Sequence, residues 1–419
     1  MEELKTYRLA DICNSIQTGP FGSQLHKSDY VEFGTPIVMP KDITNGKIND
    51  NNISRISKND VARLFKHKLV PGNIIYPRRG DISKCALITS KEDGWVCGTG
   101  CIKVDINQQI ANSTYVMYVL CQSETVNWIE SNAVGTTMLN LNTSILSDLP
   151  IKLPSLNTQK KLANIVSSFD KKIALNRRIN DNLEQQAQAL FKSWFVDFEP
   201  FKNGKFVESE MGMIPEGWKV GTIGEYCSIR SGYAFKSSWW QETGTKVIKI
   251  KNITDNKTLD MSDCSYVSSD KTYKAIDFQA SPGDLIIAMT GATIGKFCII
   301  PFHNDKIYIN QRVGKFFLGN NPLDRLPFIY CCLSYEPIYN EIIRKGQGSA
   351  QPNIGGADIE NIRIVLSPST ELKEFNSLLR PIFQKKMQIE YELSKLSVLR
   401  DTLLPRLMSG ELKINDLNC

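Results

Sequence analysis

Arginine, lysine, asparagine, glutamine, serine and threonine gather at glycine-containing turns in two matching sets along the 419-residue chain. The first set is Thr18-Gly19-Pro20-Phe21-Gly22, Pro77-Arg78-Arg79-Gly80 through Lys84, and Gly135-Thr136 through Asn140. The second is Ser231-Gly232-Tyr233-Ala234-Phe235, Met289-Thr290-Gly291 through Lys296, and Gly348 through Asn353. Polar side chains of these types hydrogen-bond base edges, while lysine and arginine neutralise phosphates. The turns recur in position but differ in side chains, which suits two domains that share a frame and read different ligands or different short sequences. The alternative for any single residue is a polar turn with no partner.

Catalytic chemistry is mostly missing. Gly291-Ala-Thr-Ile-Gly295-Lys296 resembles a phosphate loop, but that loop needs four residues between its glycines and a hydroxyl residue after the lysine. Here three residues intervene and Phe297 follows. There is no Asn-Pro-Pro-Tyr or Asp-Pro-Pro-Tyr tetrapeptide of amino-methyltransferases and no Gly-x-Ser-x-Gly nucleophile elbow. Cys97 and Cys101 are spaced like half a zinc site, yet no second pair stands near them and the chain has only three histidines. Taking Tyr308 and Arg312 as their repeat partners, they read as buried structural cysteines and no metal is expected. Eleven cysteines at irregular spacing suit reduced thiols. The start, Met1-Glu2-Glu3-Leu4-Lys5, lacks signal-peptide character, and no apolar run would span a bilayer, so a cytoplasmic protein away from membranes is expected. The net charge of +6 fits a polyanionic partner without demanding one.

The elements that must hold these turns repeat with a period of about half the chain. Gly34-Thr35-Pro36-Ile37-Val38 returns as Gly244-Thr245-Lys246-Val247-Ile248, Pro71-Gly72-Asn73-Ile74-Ile75 as Pro282-Gly283-Asp284-Leu285-Ile286, and Ile151-Lys152-Leu153 as Ile364-Val365-Leu366. Short apolar runs between turn residues predict β-rich mixed domains. Each half then ends in a heptad pattern. The first seam is Leu162, Val166, Phe169, Ile173, Asn176, Asn180, Leu183, Ala187, Leu190 and Trp194. The second is Phe375, Leu379, Ile382, Lys386, Ile389, Leu393, Leu396, Arg400, Leu403 and Leu407. Polar positions in one seam face apolar positions in the equivalent place of the other, which favours two partner helices over helices that each pack only on their own domain. Pro381 predicts a kink or a late helix start. A helix from Leu162 to Trp194 would run about 50 Å, and a fully extended connector from 201 to 219 could return at most about 60 Å. The easier path sends the second helix back antiparallel to the first, giving a pseudo-two-fold internal repeat. The expected fold is α+β, two β-rich mixed α/β domains separated by two long helices that form an antiparallel coiled coil.

Ile214-Pro215-Glu216-Gly217-Trp218, Asn310-Gln311-Arg312-Val313, Phe191-Lys192-Ser193-Trp194-Phe195-Val196-Asp197-Phe198-Glu199-Pro200 and Leu403 through Leu412 strongly resemble the specificity (S) subunits of Type I restriction-modification systems. The resemblance covers the whole chain. It departs at Gly98-Thr99-Gly100, where the first half lacks the Asn-Gln-Arg motif. The resemblance implies target recognition domains at 1–155 and 220–368, a first conserved helix at 156–200, a linker at 201–219 and a second helix at 369–419. It implies a non-catalytic DNA-specificity subunit that reads a split, asymmetric double-stranded target, one half per domain. Two modification (methyltransferase) subunits would dock on it, and restriction subunits, the ATP-dependent translocase and nuclease, would join them. S-adenosylmethionine and ATP would bind those partners, leaving no cofactor in this chain. Candidate DNA contacts are Arg78, Arg79, Lys84, Thr136 and Asn140 in the first domain, and Lys236, Thr290, Lys296, Arg312, Gln351 and Asn353 in the second. Trp239-Trp240 would either stack on DNA or pack in the domain. A subunit of a related two-part restriction system, or a helical scaffold whose two globes bind proteins or sugars, is the alternative.

Overall fold

In the computed structural model, residues 4–44, 46–135, 139–347, 352–409 and 411–412 are described. The chain divides into two compact units, one made of Met1–Lys172 with Ser397–Cys419 and the other of Ile173–Leu396.

In the first unit, Lys5–Arg8 pairs antiparallel with Pro150–Leu153. A four-stranded sheet has the order Cys13–Thr18, Cys101–Ile106, Asn73–Pro77, Ala86–Leu87, and a second has the order Tyr30–Val31, Arg55–Ile56, Thr35–Val38, Val96–Cys97. The run Asn73–Pro77 is buried along its whole length, as expected of apolar residues enclosed on both faces. In the second unit, Lys219–Thr222 pairs with Arg363–Leu366. One four-stranded sheet has the order Ser228–Ser231, Val313–Phe317, Leu285–Ala288, Phe297–Ile299, and another has the order Trp240–Gln241, Ser265–Val267, Thr245–Ile248, Ile307–Ile309. The strand orders of the two units correspond one for one, including the single parallel pairing in each second sheet.

Two long helices, Leu156–Phe195 and Ser369–Met408, contribute to both units. The second helix starts at Ser369, well before Pro381, and the proline ring faces solvent within it. That corrects the alternative of a late start, since a proline on the exposed face removes one hydrogen bond without removing buried packing. Within the second unit the helices pair antiparallel: Asn176 Nδ2 donates to Glu392 at 3.0 Å and Asn180 Nδ2 to Glu390 at 2.5 Å, while Lys386 meets Glu184. In the first unit Arg400 pairs with Asp170 at 3.3 Å. Leu162, Val166, Ile173, Phe375, Leu379, Ile389 and Leu407 are buried. Phe169, Leu183, Leu190, Trp194, Ile382, Leu393, Leu396 and Leu403 are half-buried.

The segment 201–219, expected as a linker, is folded. Phe206–Ser209 and Gly212–Pro215 form a hairpin, and Ile214 and Trp218 are buried in the core of the second unit. Trp218 packs on Phe195, Phe198 and Phe201 at centroid distances of 5.3, 5.5 and 4.9 Å. Phe195 in turn meets Phe328 at 4.8 Å and Phe375 at 4.9 Å. The aromatic residues of the resemblance motif thus serve as packing, holding the helix end to its unit by buried aromatic area. In the first unit Leu403, Leu404, Leu407, Met408 and Leu412 do the same.

Candidate nucleic-acid interface

Four backbone segments converge in each unit. In the first, the Arg78 amide donates to the Gly100 carbonyl (2.6 Å), the Leu141 amide donates to the Arg78 carbonyl (2.8 Å), and the Gly19 amide donates to the Cys101 carbonyl (2.8 Å). Arg79 bridges Asn140 antiparallel. In the second, the Met289 amide donates to the Arg312 carbonyl (3.0 Å), the Ile354 amide to the Met289 carbonyl (2.9 Å), and the Gly232 amide to the Val313 carbonyl (2.9 Å). Thr290 bridges Asn353. Arg79 therefore corresponds to Thr290, Asn140 to Asn353 and Gly100 to Arg312.

Gly19 and Gly232 make this convergence feasible. A Cβ on Gly19 would stand 2.0 Å from the Gly98 carbonyl oxygen, and one on Gly232 would stand 2.4 Å from the Ile309 carbonyl oxygen. Only a residue without a side chain lets the backbones approach this closely.

The sequence-predicted contacts fall into two groups. Arg78, Arg79 and Asn140 come together in the first unit, and Thr290, Arg312 and Asn353 in the second. Arg79, Arg312 and Asn353 are exposed, and Arg78, Asn140 and Thr290 are half-buried. Arg78 Nε, Thr99 Oγ1 and Asn140 Oδ1 are buried without a hydrogen-bond partner among the described residues, and Thr290 Oγ1 is in the same state in the second unit. Leaving such an atom unpaired costs about 1–3 kcal/mol; three of the four lie in the first unit's loop cluster and one in the second unit's. The remaining candidates have partners within the chain: Lys84 pairs with Asp81 at 2.6 Å, Lys296 with Asp255 at 2.6 Å, and Lys236 lies 5.6 Å from the Trp239 ring. Thr136 and Gln351 lie outside the described residues.

Two residues were missed from sequence. Thr99 was passed over inside the segment lacking the Asn-Gln-Arg motif. Lys249 sits between Ile248 and Ile250, and its Nζ lies 3.6 Å from the Trp240 ring centroid. Burial and the neighbouring charges of Lys251 and Arg312 push Lys249 below the ordinary lysine range. Its counterpart is Met39, since Met39 and Lys249 donate their amides to Asp42 and Asn252 in the same way. Trp239 and Trp240 are half-buried and pack against a cluster containing Phe235, Val247 and Val267. Asn310, the first residue of the motif, is buried, and its side chain accepts from the Arg312 amide at 3.4 Å. It orders the turn that presents Arg312.

The repeat partners of Cys97 and Cys101 are Ile309 and Val313, correcting Tyr308 and Arg312. Cys97 pairs with Val38 as Ile309 pairs with Ile248, and the Cys101 amide bonds back to Gly98 as that of Val313 does to Asn310. Both cysteines are buried, and burial pushes the Cys97 thiol up to about 12. Among the described residues no group of three or more potential ligands could hold a metal ion, and no helix is long and apolar enough to cross a membrane.

A sequence profile of the family described as Type I restriction modification DNA specificity domain matches residues 1–185 and 215–395. The chain is 27% identical over 400 residues to the Type I restriction enzyme MjaIX specificity subunit of Methanocaldococcus jannaschii, covering 91% of this chain and 88% of that one. It is 22% identical over 477 residues to the HindI specificity subunit of Haemophilus influenzae, covering 98% of this chain and 100% of that one. The crystal structure of a Type I restriction-modification S subunit from M. genitalium superposes with a TM-score of 0.66 at 18% identity, over 97% of this chain and 96% of that one, a likeness of fold.

Proposed function

The chain belongs to the family of Type I restriction-modification DNA specificity domains, which it carries twice, and from that premise we propose that each unit reads one half of a bipartite, asymmetric double-stranded DNA target. The observation that carries this reading is the duplicated four-loop cluster, with one backbone frame and two different sets of side chains. Arginine contacts guanine through two parallel hydrogen bonds, and asparagine contacts adenine in the same manner. Arg79 beside Asn140 therefore favours one base pattern, and Thr290 with Arg312 and Asn353 another. Lys249, whose ammonium lies against the Trp240 ring, would contact phosphate and set register without reading sequence.

In this proposal the long helices present a surface for two methyltransferase subunits. Methyl transfer, strand cleavage, S-adenosylmethionine and ATP belong to partner subunits in this proposal, so the chain acts by positioning.

The test reconstitutes the full chain with its methyltransferase partner and measures binding to a library of duplexes at physiological salt. Binding that favours duplexes carrying two defined elements at a fixed separation is expected. Equal affinity for all sequences would contradict the proposal.

A further inference from the structure

Cys85 and Cys121 lie far apart in sequence, yet their Sγ atoms are 3.5 Å apart in the first unit. Cys85 is buried at 1% exposure, and Cys121 is exposed at the end of helix Ser113–Leu120. The Cys121 thiol also lies 3.8 Å from the Met117 sulfur. A disulfide needs the sulfurs at about 2.05 Å, so these two have about 1.5 Å to close before a bond can form. Nothing in the reading of DNA uses these sulfurs. At the equivalent place in the second unit Phe297 occupies the position of Cys85: Ala86 pairs with Ile75 as Cys298 pairs with Ile286.

We propose that Cys121 and Cys85 form a peroxide-sensitive thiol pair, with Cys121 the attacking and Cys85 the resolving sulfur. The hydrogen bond from Cys85 holds the Cys121 thiol below the ordinary cysteine range against the opposing effect of burial, while Cys85 is held above it. The Cys121 thiolate attacks one oxygen of hydrogen peroxide, the O–O bond breaks, and Cys121 becomes a sulfenic acid with release of water after proton transfer. The Cys85 sulfur then attacks the Cys121 sulfur, the S–O bond breaks, a second water leaves and the Cys85–Cys121 disulfide remains. Two thiols are oxidised and one peroxide is reduced. The bond ties the end of helix Ser113–Leu120 to the residue that follows the Arg78–Lys84 loop, so oxidation couples to the first loop cluster alone.

The full chain is treated with hydrogen peroxide, capped with N-ethylmaleimide and digested without reductant for mass spectrometry. A linked peptide joining Cys85 to Cys121, two hydrogens lighter than the separate thiols and restored by dithiothreitol, is expected. Cys85→Ala retains the exposed thiol and should give a Cys121 sulfenic acid trapped by dimedone, whereas Cys121→Ser should give neither product. Oxidation that stops at Cys121 sulfinic acid or Met117 sulfoxide in the unaltered chain, with Cys85 still reduced, would overturn the proposal. So would linkage of Cys121 to any other cysteine.

Discussion

In the first unit Arg78 and Arg79 follow the buried strand Asn73–Pro77, and the turn facing them is Gly98-Thr99-Gly100. In the second Met289 and Thr290 follow the equivalent strand Leu285–Ala288, the turn carries Arg312, and Lys249 stands where the first unit has Met39. The backbone contacts are alike, so positive charge has moved from one loop to another on a fixed frame. Cores restrict volume and apolarity, whereas exposed loop positions are restricted chiefly by what they bind. Under the proposed function the difference makes frame and specificity separable, with the glycines at 19 and 232 belonging to the frame and the charged residues assigned to the reading.

A second contrast lies in the helices. In the second unit Glu184 receives Lys386, Lys257 at 3.0 Å and the Tyr330 hydroxyl at 2.8 Å. In the first unit Asp170 accepts the Tyr118 hydroxyl at 2.5 Å and Arg400 at 3.3 Å. The carboxylate comes from the first helix and the cation from the second in both units, so the helices are not interchangeable. The Glu184–Lys386 pair is the drier of the two, with side-chain exposures of 22% and 12% against 27% and 32% for Asp170 and Arg400.

The largest expected effect follows from this burial. Glu184→Ala leaves two lysines without their counter-charge and should cost about 3–5 kcal/mol, whereas Asp170→Ala should cost about 1 kcal/mol. Chemical denaturation measures both, and hydrogen exchange should place the Glu184 loss in the second unit. Equal losses would break the contrast. Burial raises the Glu184 pKa, but Lys386 and Lys257 more than reverse it and bring the carboxyl from 4.5 to about 2. A depressed acid stabilises the fold fully above its unfolded value and loses that contribution as pH falls. Stability should therefore decline between about pH 4.5 and pH 2, and Glu184→Gln should flatten that limb.

Arg79→Ala should relax discrimination at one base position by about 1–3 kcal/mol, and only in the half-site of the first unit. Competition binding with single-base variants checks it. A smaller and sequence-independent effect is expected of Lys249→Met, which transplants the first unit's residue. It should weaken all duplexes alike and lower the salt dependence of log K by about one. Loss of discrimination with an unchanged salt slope would instead make Lys249 a base reader.

Much of the frame was readable because packing leaves periodic marks. Leu162, Val166, Ile173 and Phe375 announce helical faces by their spacing, and Asn73–Pro77 announces a buried strand by its composition. Partners across elements leave no such mark. Asp170, Glu184, Glu390 and Glu392 look like solvated surface carboxylates in sequence, and only the antiparallel pairing brings them to Arg400, Lys386, Asn180 and Asn176. The repeat offset also grows along the domains, from Thr35 against Thr245 to Asn140 against Asn353, because loops gain residues. That drift misaligned the counterparts of Cys97 and Cys101, whereas Met39 and Lys249 keep the offset of Thr35 and Thr245 and are masked only by their unlike side chains. In the loop clusters, turn composition marked Arg79, Asn140, Thr290 and Asn353, whose pairing the backbone bridges show, but the orphaned Thr99 hydroxyl required coordinates.

Separability of frame and reading is tested most directly by exchanging residues 220–368 for the equivalent segment of another member of the family and mapping methylated sites with the methyltransferase partner. The account predicts that one half of the target changes while the other half is retained. A change in both halves, or in neither, would contradict it.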